Sequence, residues 1–225
     1  MQSKNHVWPA ISLSVIALVS GACGTASLTP DSGEDDVTII QDASSGEVLF
    51  FDDFSDPSSG WKVDDIYYFR GYDDDAYRIS IDQDESQYVI LTAVSNHSYG
   101  DVRIEVDVNR VSGSDSAGIY VICRYQDNDN YYYAEIDGEG LLAVAAFFEG
   151  EQVVLIDDFP TDVILERNHF EVDCIGTEMT VYIDDVQVLS AAPLKILQGD
   201  AGFGAGGSGR GLTDVRFDNF TVSAP

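Results

Sequence analysis

Basic residues are scarce in this 225-residue chain: 11 Lys and Arg stand against 40 Asp and Glu, a formal net charge of -29. Nucleic-acid binding through a basic patch is excluded, because neutralising phosphates needs clustered Lys and Arg. Cysteine and histidine are few as well, three of each, too few for a zinc ribbon or a His-rich metal site. No apolar run reaches the roughly 20 residues that a membrane-spanning helix needs. No window carries a helical moment, apart from a single turn expected at 193–197, and no repeat recurs at a fixed period. What is present is core-forming material: the chain is 44% hydrophobic and 11% aromatic, with 12 Tyr and 11 Phe. That content argues against disorder throughout, despite the charge. The length fits one domain of about 150–200 residues plus appendages.

The appendage is N-terminal. Lys4 and His6 precede an apolar run over 10–19, followed by Ser20, Gly21, Ala22 and Cys23. A short basic region, an apolar run of about ten residues and small residues before a cut site make a secretory signal. The Cys after small residues resembles the lipobox of bacterial lipoproteins, with Ser20 where that family usually has Leu. The resemblance implies cleavage before Cys23, acylation of its thiol, and export with a lipid anchor to the cell membrane or envelope, facing outside the cytoplasm. Residues 1–22 are then a signal peptide, and 23–47, rich in Ser, Thr, Asp and Gly, an acidic flexible tether. The apolar patch at 37–40 is read as no element rather than as a short strand.

From 48 onward the chain is a series of short apolar-alternating runs. They cover 48–54, 76–81, 88–93, 102–108, 118–125, 131–136, 141–148, 153–156, 169–175, 179–183, 186–189, 201–205 and 215–222. Gly, Asp and Asn punctuate them at strand-like spacing, the pattern of an all-β sandwich. So many strands in one domain (48–225) indicate two large antiparallel sheets.

Four stretches carry a family resemblance: Phe51-Asp52-Asp53-Phe54 with Ser59-Gly60-Trp61, Gly118-Ile119-Tyr120-Val121 running to Asn130-Tyr131-Tyr132, Phe170-Glu171-Val172-Asp173-Cys174, and Val215-Arg216-Phe217-Asp218-Asn219-Phe220. Together they resemble the concanavalin A-like lectin/glucanase superfamily, near its laminin G-like and 3-keto-disaccharide hydrolase branches. The resemblance implies an all-β jelly-roll sandwich and a carbohydrate-related role, although a fold does not by itself fix function.

Pairing 119–125 with 130–136 so that residue numbers sum to 255 puts Ile119, Val121 and Cys123 on one face with Tyr132, Ala134 and Ile136. A slip of one residue would put Glu135 on that apolar face. The other face then holds Tyr120, Arg124, Tyr131, Tyr133 and Glu135. Aromatic rings beside fixed donors and acceptors suit sugar rings on the concave sheet of a jelly roll; ordinary cross-strand pairs on a solvated sheet are the alternative. The net charge disfavours acidic polysaccharides, so a neutral glycan is the expected partner.

Glu135, Asp137 and Glu139 match the E-x-D-x-E pattern of glycosidases on this fold, in which the outer carboxylates act about 5–5.5 Å apart. That chemistry needs one continuous strand, whereas Asp137-Gly138-Glu139-Gly140 reads as a hairpin turn. Catalysis is therefore not assigned to them. Cys123 and Cys174 alternate with apolar residues, as two buried thiols or, in an exported chain, as a disulfide. Asp52, Asp53 and Asp218 are the best of several Asp-rich positions for a structural calcium, although no cofactor is required. The reading is a lipid-anchored, non-catalytic carbohydrate-binding module. A glycosidic-bond hydrolase resembling the 3-keto-disaccharide hydrolases and a purely structural envelope protein are its alternatives.

Intact-mass analysis of membrane fractions should show a mature chain beginning at acylated Cys23. A Cys23→Ala protein still cut after Ala22 and still membrane-bound would refute the anchor.

Overall fold

The computed structural model describes residues 39–40, 44–65, 68–83, 89–163, 166–207 and 211–225. The signal peptide and Cys23, and most of the tether, lie outside the described residues. The described residues belong to one compact unit, 36–225, and contain no helix.

Its strands are β1 (Ile39–Ile40), β2 (Val48–Asp52), β3 (Phe69–Tyr72), β4 (Tyr77–Gln83), β5 (Val89–Val94), β6 (Ser98–Tyr99), β7 (Val102–Ser112) and β8 (Ala117–Asp127). They continue with β9 (Asn130–Ile136), β10 (Leu141–Phe148), β11 (Glu151–Pro160), β12 (Arg167–Ile175), β13 (Glu178–Ile183), β14 (Val186–Ala191), β15 (Asp200–Gly207) and β16 (Gly211–Ser223). Each of the runs expected from alternation is a strand. β1, β3 and β6 are additions too short for a period of two to show. The stretch 193–197 is extended rather than a helical turn; Leu194 donates its amide to the Thr177 carbonyl.

Six strands form one antiparallel sheet in the order β11-β10-β9-β8-β15-β5. Eight form the other, β14-β13-β12-β7-β16-β4-β3, with β2 pairing the end of β16. β1 pairs β6 in parallel. Residues 44–47, at the end of the expected tether, reach the C-terminus: Gly46 and Ala224 exchange amide bonds with Ala224 and Glu47.

The inward faces make one core. Ile119, Val121, Ala134 and Val144 from the smaller sheet meet Ile104, Val106, Val172 and Val181 from the larger, all buried. At one end the core is aromatic. Phe203 of β15 stacks on Phe217 of β16 at 4.3 Å, and Trp61 lies 5.0 Å from Phe203. Trp61 donates its indole N–H to buried Asp52 at 2.7 Å. The opening motif therefore serves packing, each fully buried Phe contributing roughly 1.5–3 kcal/mol over an exposed one. Gly202 on β15 has no alternative residue, because a Cβ there would run into the Ala93 carbonyl of β5.

The sheets are also linked covalently. Cys123 of β8 and Cys174 of β12 form a disulfide, their Cα atoms 6.7 Å apart. Closing a loop of 51 residues stabilises the fold by about 4 kcal/mol in the loop-entropy description. The double variant Cys123→Ala/Cys174→Ala should lose about that much in urea unfolding. A loss below about 1 kcal/mol would show that the surrounding contacts hold the sheets without it.

Candidate functional site

The pairing of β8 with β9 follows the expected register from Ile119↔Ile136 through Tyr120↔Glu135 to Cys123↔Tyr132. Side chains alternate across the sheet, so Tyr120, Ile122, Tyr131, Tyr133 and Glu135 point away from the core. The first four, with Ala145 of β10, form a second buried cluster separate from the main core. Tyr120 and Tyr133 meet edge to face at 5.5 Å. Tyr131 stacks on Phe147 at 5.2 Å and meets Tyr125 at 5.5 Å.

Small residues flank this ridge. On one side β15 offers Gly202 and Gly204 opposite Ile122 and Tyr120; on the other, β10 offers Ala143 and Ala145 opposite Glu135 and Tyr133. Tall aromatic residues between rows without bulk give the outward face relief. Tyr120 donates to Glu135 at 2.7 Å, and both groups lie over Gly118, where a Cβ would collide with them. Gln152 of β11 donates to the Tyr133 hydroxyl at 2.5 Å.

Arg124 departs from the expected face. A bulge interrupts β8 between Cys123 and Asp127, and Arg124 takes a left-handed conformation, φ 54. Its guanidinium turns inward, fully buried. It donates to the carbonyls of Gly176 at 2.8 Å, Ile196 at 2.9 Å and Cys174 at 3.1 Å, and pairs with Asp101 at 3.1 Å. Arg124 thus belongs to the scaffold. The expected partnership with Tyr131 fails because one extra residue in a strand reverses every later side chain.

Two neighbours of the patch escaped sequence reading, Tyr125 and Phe147. Both are partly exposed rings that border the buried cluster. Phe147 was legible only through the register Phe147↔Tyr131, and Tyr125 reaches this face only because of the bulge.

The acidic triplet is not a strand array. Glu135 is on β9, but Asp137 accepts from the amides of Glu139 and Leu141, both at 2.9 Å, capping the turn into β10. Glu139 is exposed at the tip of that turn. β2 and β16 do lie side by side, Phe220 facing Asp52. Asp52, however, accepts from the Phe54 amide at 2.7 Å and from Trp61, Asp53 from Ser55 and Asp218 from the Asn219 amide. Among the described residues, no group of three or more His, Cys, Asp or Glu is placed to hold a metal ion.

No protein-family model matches the chain, and no curated protein matches it in sequence. Solved structures do. A carbohydrate binding module from Bacillus subtilis aligns with a TM-score of 0.59 and 18% identity, over 73% of this chain and 96% of that one. A Bacillus licheniformis beta-glucanase aligns with a TM-score of 0.59 and 11% identity, over 81% of this chain and 100% of that one. A protein of unknown function with a galectin-like fold, also from Bacillus subtilis, aligns with a TM-score of 0.59 and 10% identity, over 80% and 97%. The domain is a concanavalin A-like jelly-roll sandwich. In this concanavalin A-like domain the aromatic patch lies on the outward face of the six-stranded sheet.

Burial raises the Glu135 carboxyl above its ordinary value, against the lowering effect of the Tyr120 hydrogen bond; Asp137 and Asp157 raise it further. A carboxyl whose folded value is raised binds more protons folded than unfolded, so its ionisation costs stability as pH rises above the unfolded value. Glu135→Gln removes that cost and keeps an acceptor for Tyr120. In urea melts, wild type relative to Glu135→Gln should lose stability from about pH 4.3 upward, through the raised value, and then level off. A pH-independent difference between the two would show that Glu135 does not titrate there.

Proposed function

We propose that the chain is a lipid-anchored, non-catalytic surface module that binds a neutral glycan on the outward face of its six-stranded sheet. One observation carries this reading: an aromatic cluster on the side of the sheet away from the core, bordered by the partly exposed rings of Tyr125 and Phe147. A solvated sheet face is ordinarily polar, so rings grouped there suit a partner with apolar faces of its own. Sugar rings have C–H faces that stack on aromatic rings and hydroxyls that need fixed hydrogen-bond groups. Glu135, held by Tyr120, and Gln152, held by Tyr133, supply such groups at the margin. Tyr120 and Tyr133, each 1% exposed, act as the foundation, and Tyr125 and Phe147 as the contact rings. Likeness to a carbohydrate binding module and to a mucin-degrading endo-acting O-glycanase structure supports a carbohydrate role. The binding role is favoured over a hydrolase because Asp137 is committed to its own turn. The acidic charge favours neutral over acidic glycans.

A glycan array probed with the soluble domain, followed by calorimetric titration, tests the reading. Phe147→Ala and Tyr125→Ala should each weaken binding by roughly 1 kcal/mol or more, with the fold retained. Unchanged affinity in both would place the ligand elsewhere, and an array without any hit would favour a structural role in the envelope.

A further inference from the structure

The outward face of the eight-stranded sheet differs in kind, being charged rather than aromatic. Near one end it holds a pocket of about 530 Å³, within the size range of small-ligand sites. The register of three neighbouring strands builds its floor. Asn109 of β7 faces Arg167 of β12 and Arg216 of β16; one step along, Asp107 faces His169 and Asp218. Strands about 4.8 Å apart put each such row of three within about 10 Å. Asp74 and Asp75, in the turn between β3 and β4, wall one side, and Asp184, between β13 and β14, is part of the opposite wall.

Part of this lining is fixed scaffold. Asp107 holds His169 at 2.7 Å and accepts from Asn219 at 2.8 Å. Asp184 accepts from the His169 amide at 2.9 Å and from Asn168 at 3.0 Å. Arg216 is taken up by Asp73, outside the pocket lining. Other groups have no partner among the described residues: the Asp74 and Asp75 carboxylates, the Asn109 amide and the Arg167 guanidinium. Asn168 is the telling one. It is 8% exposed and lines the pocket, its Nδ2 donates to Asp184, and its Oδ1 has no donor. A carbonyl oxygen so nearly buried and without a donor is a vacancy for one. Carboxylates also crowd together at Asp218, where burial, then Asp107, Asp53 and Asp75, raise its carboxyl above the ordinary value. The acidic wall thus lacks a cation, while Arg167 on the far side lacks an acceptor.

We infer that this pocket binds a protonated amino sugar. The ammonium group lies against Asp74, Asp75 and Asp218, and the ring hydroxyls bridge Asn109, the Asn168 carbonyl oxygen and Arg167. The lining includes no aromatic side chain, so recognition here rests on charge and hydrogen bonds. A simple alkylamine would satisfy the acidic wall and leave Asn109, Asn168 and Arg167 unmatched. This site is separate from the glycan face of the other sheet and stands or falls independently of it.

The test is calorimetric titration of the soluble domain at physiological salt with the disaccharide of glucosamine, its N-acetylated form, and cadaverine. The glucosamine disaccharide should bind, and the N-acetylated form, without the charge, should bind about tenfold more weakly or worse. Asp74→Asn/Asp75→Asn should weaken the glucosamine disaccharide about fivefold or more. Asn accepts the left-handed backbone found at both positions as readily as Asp, so this variant folds. Glu178→Gln, which removes an exposed carboxylate on β13 away from the pocket, should leave affinity unchanged. Equal loss in Glu178→Gln would reveal mere attraction to the net charge and overturn the site. Equal binding of the N-acetylated form, or no loss in the double Asn variant, would do the same. Cadaverine binding as tightly as the amino sugar would overturn the assignment of the ligand class.

Discussion

The buried guanidinium of Arg124 is the constraint on which one end of the sandwich depends. It follows Cys123 directly, so the residue that links the two sheets covalently is succeeded by one that links them through hydrogen bonds. Its donors reach carbonyls on the β12–β13 turn and on the segment before β15, three pieces of chain far apart in sequence. Burial disfavours its charge and Asp101 opposes that. Breaking such a buried pair by removing one partner costs about 3–5 kcal/mol, because the remaining charge is left uncompensated. Gly199 accommodates the arrangement: a Cβ there would run into the Arg124 carbonyl.

The same bulge shapes the outward face. By turning Arg124 inward it removes a positive charge from the aromatic cluster and brings Tyr125 beside Tyr131. The cluster therefore has rings and a Tyr120 and Glu135 pair, with no cation within the group. The eight-stranded sheet is the reverse. Its outward side carries Arg103 with Asp173 and Glu171, Arg78 with Asp214, and Arg216 with Asp73. These pairs use many of the chain's few basic side chains on one sheet and leave the acidic excess unbalanced elsewhere. One sandwich thus presents two chemically distinct surfaces, suited to stacking on one sheet and to charge on the other.

Structures with this fold include a carbohydrate binding module and a beta-glucanase, so architecture alone does not separate binding from hydrolysis. The separation comes from individual carboxylates. Glu135 lies on the outward face but is tied to a tyrosine, and Asp137 is tied to backbone amides. A pair acting on a glycosidic bond needs both groups free toward the same substrate.

How much of this was legible follows from how local each feature is. Strand alternation is a property of neighbouring residues, so every run from 48 onward showed in the sequence, as did the turn at 137–140. The register of β8 and β9 was readable because a slip would have buried Glu135 against the core. Cys123 and Cys174 could be assigned to inward positions by the same alternation. The bulge at Arg124 was not readable, since its cause is a set of carbonyls supplied by residues some 50 and 70 positions later. The polar pocket was invisible for the same reason. Its lining comes from 74–76, 107–109, 167–169, 184 and 216–219, and only the pairing of β7 with β12 and β16 brings them together. Sequence determined the strands, the inward faces and the export signal, because each depends on residues close along the chain. Which outward side chains meet was decided by tertiary structure alone, because strand order and one extra residue in β8 set the neighbours.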